Sequence, residues 1–178
     1  MELTTVQVIG DVSGPGRLNR ALPLVIRSAR ANRVVLKAVG IVRDADSTPA
    51  GRLQSAQDIL RANMLVAPVA HAAFLPGEPA VGLFICPDGV SEGAIEAICW
   101  AAVSGEPQSP CVSEYVRCLE EAGALRSANI DKTRTHAFLA AMDDPVARVG
   151  EGAKQGCWPL NHAAFASLRA FISRLAEI

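Results

Sequence analysis

Two apolar segments of this sequence end abruptly in acidic residues, and this pairing most limits how the chain can fold. Val34–Val42 is rich in β-branched residues and is followed, one residue later, by the acidic segment Asp44–Asp46. Val81–Cys86 is similarly apolar and runs directly into Pro87–Gly89, which carries another aspartate. Strands that are apolar along their whole length are typical of a parallel sheet covered on both faces. The two segments therefore predict buried strands.

Helical patterns separate and follow these two strands. The apolar spacing predicts an earlier strand at Thr4–Ile9 and helices over Arg17–Ala31, Arg52–Asn63, Glu92–Val103 (with Ser91 as its N-cap), about Val112–Ala122, Lys132–Met142 and Ala163–Ala176. Alternating strands and helices indicate an α/β fold, with a small, mainly parallel sheet flanked by helices and a helical C-terminal part. No linker or repeat interrupts the 178 residues. We therefore expect one domain, with its core over about residues 4–105 and the helical part over about 106–178.

Charge and cysteine content exclude several classes of protein. A net charge of −1 gives no overall attraction to nucleic acid or to an anionic membrane, although a local basic patch would still suffice for nucleic acid. The five cysteines form no CxxC pair, and the first residues show no charged-then-apolar leader. We expect a cytoplasmic protein with reduced thiols and no membrane contact. Nucleic acid, a protein partner or a second copy of the chain are its candidate partners.

The carboxylates at the two strand ends predict a cation site. Asp44, Asp46 and Asp88 follow strand ends, and ligands of open α/β sheets bind beyond the carboxyl ends of strands. On an extended segment, residues two apart point the same way, so Asp44 and Asp46 are expected to face one site. Carboxylate oxygens supplemented by water are what Mg²⁺ prefers, and Mn²⁺ is the other candidate ion. The alternative is that both aspartates begin a turn and cap the next helix.

Further charged residues follow in the order that such a site would need. Glu92 and Glu96 are four apart and are therefore expected on one face of their predicted helix, as further candidate metal ligands. Lys132 opens a later helix, where an ammonium group can approach a phosphate. A solvated helix face and an ordinary surface lysine are the alternatives for these residues.

The combined order of these motifs resembles a Toprim-like family of uncharacterised prokaryotic proteins. The matching pattern is GIV-x-DAD-(turn)-R-x-x-(S/A), then VGLFICPDG-x-x-x-G-x-IE, then DK-(T/A)-R-x-x-AFLA-x-x-DP and a closing helix, over about residues 6–175. The wider Toprim group includes primases, topoisomerases and the overcoming-lysogenisation-defect nucleases. The resemblance implies a small parallel sheet with flanking helices and metal-assisted phosphodiester transfer or cleavage.

The resemblance also implies roles for individual residues. Asp44 and Asp46 match the DxD metal-binding motif, Glu96 is similar to the acidic residue that helps to bind a second metal, and Lys132 is similar to the basic residue after it. The family begins with a strand that ends in Glu-Gly, whereas here Glu2 is followed by Leu-Thr-Thr. Either the reading frame extends upstream, the sequence is cut, or the chemistry has been lost. A degenerate, non-catalytic binding module is therefore the first alternative.

A haloacid-dehalogenase-type phosphatase is the second alternative. Asp44–Thr48 satisfies DxDxT literally, with Asp44 as nucleophile, Asp46 as acid/base and Asp143-Asp144 as the later acidic pair for Mg²⁺. A strand and a helix already precede this motif, and VGLFIC ends in Pro-Asp, where that class would have Ser or Thr to bind phosphate. The glycine-rich GDVSGPG segment lacks the spacing of a phosphate loop and predicts a tight strand-to-helix turn.

Overall fold

The computed structural model describes residues 17–178, so the predicted strand at Thr4–Ile9 and the GDVSGPG turn lie outside it. In chain order the elements are α1 (Arg17–Ala31), β1 (Ala38–Asp44), α2 (Pro49–Ala62), β2 (Ala73–Leu75), β3 (Ala80–Cys86), α3 (Ile95–Val103), α4 (Ser109–Glu121), α5 (Ile130–Ala140), α6 (Val149–Lys154), a 3₁₀ turn (Ala163–Phe165) and α7 (Ala166–Ala176). The α/β class and the helical C-terminal part are confirmed.

Three strands of the described chain form a mixed sheet in the order β1-β3-β2. β1 and β3 are parallel, in a register that pairs Ala38 with Ala80 and Asp44 with Cys86. The three-residue strand β2 is antiparallel to β3 and was not predicted, since Ala73–Leu75 is too short to show an alternating pattern. The parallel pairing that positions Asp44 was predicted correctly.

The sheet separates two apolar layers, because successive side chains of β3 point to opposite faces. Phe84 and Cys86 pack on one side, in a cluster that continues through Ile98 of α3, Phe138 of α5 and Phe171 of α7. The opposite layer combines alternate β3 residues with apolar side chains of β1, α1 and α2: Val81, Leu83, Ile85, Ile41, Leu22, Ala56 and Leu60. Helices therefore cover both faces of the sheet, as the uniformly apolar strands predicted.

The start of α3 differs from its prediction. Gly93 has a φ of 126°, and it exchanges two backbone hydrogen bonds with Asp46, at 2.8 and 2.7 Å. This bridge holds Gly93 out of helical geometry, and α3 begins only at Ile95. Ser91 is therefore not an N-cap, and Glu92 lies outside the helix. The expectation that Glu92 and Glu96 share a helix face was wrong.

The C-terminal helices continue the layer that packs on Phe84. The Thr135 hydroxyl of α5 is fully buried and donates to the Glu96 backbone carbonyl of α3 at 3.1 Å. The indole N–H of Trp158 donates to the Val149 carbonyl at 2.9 Å. The first of these contacts fixes α5, which carries Lys132, against α3, and the second holds the start of α6 to the loop that follows that helix. None of the helices within residues 17–178 is both long and apolar enough to cross a membrane.

Candidate functional site

Asp44 is the last residue of β1 and ties the sheet to the start of α3. Its Oδ1 atom accepts a hydrogen bond from the backbone N–H of Ile95 at 2.9 Å. Ala94, which occupies the N-cap position of α3, makes no side-chain cap of its own. Asp44 therefore satisfies a free N–H of this helix from a distant position in the chain, and its negative charge interacts favourably with the helix N-terminus.

Four of the predicted residues, counting Asp44 itself, interact electrostatically at this position. Burial is the largest cause and raises the pKa of Asp44, while the hydrogen bond from Ile95 lowers it. The neighbouring charges of Glu96 and Asp46 raise the pKa further, and Lys132 lowers it, so that the net shift is upward. Asp44, Asp46, Glu96 and Lys132 thus form one electrostatic cluster at the carboxyl end of β1.

Asp46 lies beyond the end of the strand, where the backbone is no longer extended. Its φ of 50° is in the left-handed region, which Asp tolerates better than most residues. The carboxylate forms an ion pair with Arg52 of α2 and is 54% exposed. The premise of an extended segment through Asp46 was wrong, because the bridge to Gly93 turns the chain here.

Glu96 is buried in the first turn of α3, with only 8% of its surface exposed. The alternative of a solvated helix face is therefore wrong for Glu96. Its charge raises the pKa of Asp44 and contributes to the raised pKa of the buried thiols Cys86 and Cys99, where burial is the main cause. Glu96 therefore adds a largely buried carboxylate to the negative surroundings of Asp44.

Asp88 and Glu92 are not part of this cluster. Asp88 is exposed and accepts hydrogen bonds from the N–H groups of Val90 and Ser91, at 2.9 and 2.7 Å, and from the Ser91 hydroxyl at 2.7 Å. Slight burial raises its pKa, but these bonds and nearby His71 outweigh that and lower it. Asp88 thus stabilises its own turn. Glu92 is exposed in the bridge segment before α3.

Two arginines beside the acidic residues were missed by the sequence interpretation. Arg52 pairs with Asp46, and Arg43 of β1 makes a long hydrogen bond of 3.4 Å to the Ser55 hydroxyl of α2. Arg43 and Arg52 repel each other, while Asp46 and Asp44 attract Arg43. The signal was present in the motif, since DAD is preceded by Arg43 and followed by R-x-x-S at Arg52–Ser55.

Lys132 lies in the first turn of α5 and borders an open groove of about 360 Å³. Its backbone N–H donates to the capping side chain of Asn129 at 3.1 Å, and its side chain is exposed. The other residues that line it are Tyr115, Ser127, Thr133, His136 and Ala137. A larger groove, of about 510 Å³, runs along α2 past Asn19 and Asp58 and contains none of the predicted site residues.

The acidic pair of the phosphatase alternative lies away from Asp44. Asp143 and Asp144 follow the C-terminal end of α5, and Asp144 accepts a hydrogen bond from Gln155 at 3.2 Å. Lys132, which interacts with Asp44, is at the opposite end of α5, and an 11-residue helix is about 16 Å long. This geometry does not favour a shared Mg²⁺ site for Asp44 and Asp143.

The carboxylates fit a hydrated ion better than a fully protein-bound one. Among residues 17–178 no group of three or more His, Cys, Asp or Glu side chains is arranged to hold a metal ion. Mg²⁺, however, commonly takes only one or two carboxylates and keeps several waters. Asp44, crowded by Glu96 and Asp46, has the anionic surroundings that such an ion would relieve.

Fold and site together define an α/β protein with an acidic cluster at the carboxyl edge of a parallel strand pair, flanked by two arginines and a lysine. The chain belongs to the family described as "Protein of unknown function (DUF3226)", whose model matches residues 3–177. No curated protein and no solved structure gives a significant match to the chain.

Proposed function

We propose that this chain is a Toprim-like protein that binds Mg²⁺ or Mn²⁺ at Asp44 and Asp46 and acts on phosphodiester bonds of nucleic acid. The observation that carries this proposal is the crowding of Asp44 by Glu96 and Asp46 at the end of a parallel strand. Carboxylates held this close repel one another unless a cation or proton intervenes. A crowded, partly buried carboxylate at the ligand edge of a sheet is also a frequent mark of a functional site.

Each residue of the cluster has a separate task in this proposal. Asp44 and Asp46 would hold the ion, and Glu96 would strengthen the local negative field from α3. The ion, when bound, would supply Lewis-acid stabilisation of a phosphoryl group. Lys132 would offset negative charge on the phosphate from the α5 side, since its positive charge is near enough to Asp44 to lower the pKa of that carboxyl.

Metal binding is tested by calorimetric titration of Mg²⁺ and Mn²⁺ into the wild type and the Asp44→Asn and Asp46→Asn variants. We expect binding in the wild type and at least a tenfold loss of affinity in each variant, because each removes one charged oxygen ligand. Asp58→Asn is the matched control, since Asp58 is an exposed carboxylate that pairs with Arg61. Equally small heats in all four proteins would exclude the metal site.

The groove beside Lys132 supports a single nucleic-acid strand as the substrate. Tyr115 is 53% exposed and lines the groove with His136, so an aromatic face is available beside a cationic group. Single-stranded nucleic acid is bound by this combination, in which bases stack on aromatic rings and cations contact the phosphates.

Replacing Tyr115 tests the stacking role. Stacking of one base contributes about 1–3 kcal/mol, so Tyr115→Ala should weaken binding of a fluorescent oligonucleotide about tenfold in an anisotropy titration. Tyr115→Phe keeps the ring and should bind like the wild type. If both variants bind like the wild type, the groove does not receive a base.

A non-catalytic binding module is the second candidate, and one observation favours it. Asp46 is already paired with Arg52, and Asp44 already accepts a hydrogen bond from Ile95, so both carboxylates have partners without a metal ion. Incubation of labelled single-stranded DNA and RNA with the protein and Mn²⁺ distinguishes the candidates. Cleavage that disappears in Asp44→Asn supports the enzyme, whereas binding without cleavage supports the module.

A further inference from the structure

Arg43 and Arg52 place two guanidinium groups beside the acidic cluster, on the side that faces α2. Arg43 is half-buried and reaches Ser55, while Arg52 projects from the first turns of α2 to Asp46. The Nε atom of Arg52 is shielded from solvent and has no hydrogen-bond partner within residues 17–178. One donor of this guanidinium is therefore left unused by the present pairing.

The two guanidinium groups lie close enough to repel each other. Burial lowers the pKa of Arg43, and repulsion from Arg52 is the second cause. Asp46 and Asp44 act in the opposite direction, but the net shift remains downward. An additional anion would relieve this repulsion, and guanidinium groups match the oxygens of a phosphate particularly well because they donate in a planar fork.

The pairing that occupies Arg52 is easily exchanged. The side chain of Asp46 is 54% exposed and that of Arg52 is 37% exposed, and ion pairs with this much exposure contribute little to stability. Asp46 can therefore leave Arg52 for a stronger partner at small cost.

We propose that Arg43 and Arg52 form a phosphate-binding site that Asp46 covers, and that the site opens when Asp46 turns to a divalent cation. The phosphate site depends only on the two arginines and Asp46. Its opening by a cation rests on the metal site proposed above. Cation and phosphate would then bind cooperatively, and each would raise the affinity for the other by the same factor.

The phosphate site is tested in metal-free buffer by calorimetric titration of inorganic phosphate into the full chain. Asp46→Asn frees Arg52 and should bind phosphate about tenfold more tightly than the wild type, as a typical coupling between two sites would give. Asparagine tolerates the left-handed backbone at this position, so the variant should fold. The double variant Asp46→Asn/Arg52→Gln should lose the gain.

The pair Asp58–Arg61 on the same helix provides matched controls. Its ion pair is 3.0 Å long and its side chains are also exposed. Asp58→Asn removes the same charge as Asp46→Asn outside the proposed site, and in Asp46→Asn/Arg61→Gln the arginine that is replaced lies outside that site. The first should bind phosphate like the wild type, and the second like Asp46→Asn. If Asp46→Asn shows no gain, or if Arg61→Gln abolishes it as well as Arg52→Gln, the phosphate site is refuted.

Divalent ions separate this inference from the proposed metal site. Arg52→Gln should bind Mg²⁺ more tightly than the wild type, because Asp46 is then unpaired, and Mg²⁺ should raise the affinity of the wild type for phosphate. If neither Mg²⁺ effect is seen but Asp46→Asn still binds phosphate more tightly than the wild type, the metal-driven opening is refuted and the phosphate site is supported. If the wild type binds Mg²⁺ but Asp46→Asn binds phosphate no more tightly than the wild type, the metal site is supported and the phosphate site is refuted.

Discussion

Phe84→Ala will lower the free energy of unfolding by about 4 kcal/mol, the cost typical of removing a fully buried phenylalanine. Phe84 is completely buried in the central strand, and its ring lies 4.3 Å from the ring of His71 and 5.4 Å from that of Phe171. Alanine would leave a cavity between the sheet and α7, and the rigid strand β3 cannot move to fill it. Chemical denaturation monitored by circular dichroism measures the loss.

Ile172→Ala is the control for this substitution. Ile172 is the neighbour of Phe171 on α7 but is 51% exposed, so its truncation should change stability by less than about 0.5 kcal/mol. Similar losses in the two variants would show that α7 is held by something other than its packing on Phe84. A loss below about 1 kcal/mol for Phe84→Ala would contradict the two-layer core.

The fold was predictable wherever one pattern extends over many residues. α1 ends at the residue predicted from its periodicity, and β3 is one residue longer than the apolar run that marked it. The prediction failed where a distant contact determines the local structure. The bridge between Asp46 and Gly93 shortens α3 and turns Asp46 out of the strand. The residues next to Asp46 and Gly93 in the sequence contain no pattern that predicts this contact.

The acidic residues of the candidate site and Lys132 were predictable. The order of Asp44, Glu96 and Lys132 along the chain indicated that they meet, and their charges do interact in the structure. Arg43 and Arg52 were missed because arginines near a strand end are usual on any surface. Arg43 borders the acidic cluster as the chain neighbour of Asp44, whereas Arg52 reaches the cluster only through the position of α2.

Asp44→Asn should make the protein more stable in metal-free buffer at pH 7, by about 1 kcal/mol, as often happens when a residue kept for function is replaced. The pKa of Asp44 is raised in the folded chain, chiefly by burial, so ionisation there costs stability. Asparagine carries no charge but retains an oxygen that can accept the hydrogen bond from Ile95.

The difference in stability between Asp44→Asn and the wild type should depend on pH in a definite direction. Below the ordinary aspartate pKa of about 4, Asp44 is protonated in both the folded and the unfolded chain. As the pH rises from there through the raised pKa of the folded state, the unfolded chain ionises first and the contribution of Asp44 to stability falls. The advantage of Asp44→Asn should therefore grow across this window and stay constant above it, as measured by denaturant unfolding between pH 3 and pH 7.

Mg²⁺ should reverse the order of the two proteins. A ligand present at a hundred times its dissociation constant stabilises the folded state by about 2.7 kcal/mol, whereas a variant that binds the ligand tenfold more weakly gains only about 1.4 kcal/mol. The wild type would then exceed Asp44→Asn by at least about 0.3 kcal/mol, whereas Asp58→Asn, which changes an exposed carboxylate, should follow the wild type throughout. If Asp44→Asn is less stable than the wild type without metal, the main role of the Asp44 carboxylate is to cap α3 and not to bind a ligand. If Mg²⁺ stabilises both proteins equally, Asp44 does not hold the ion.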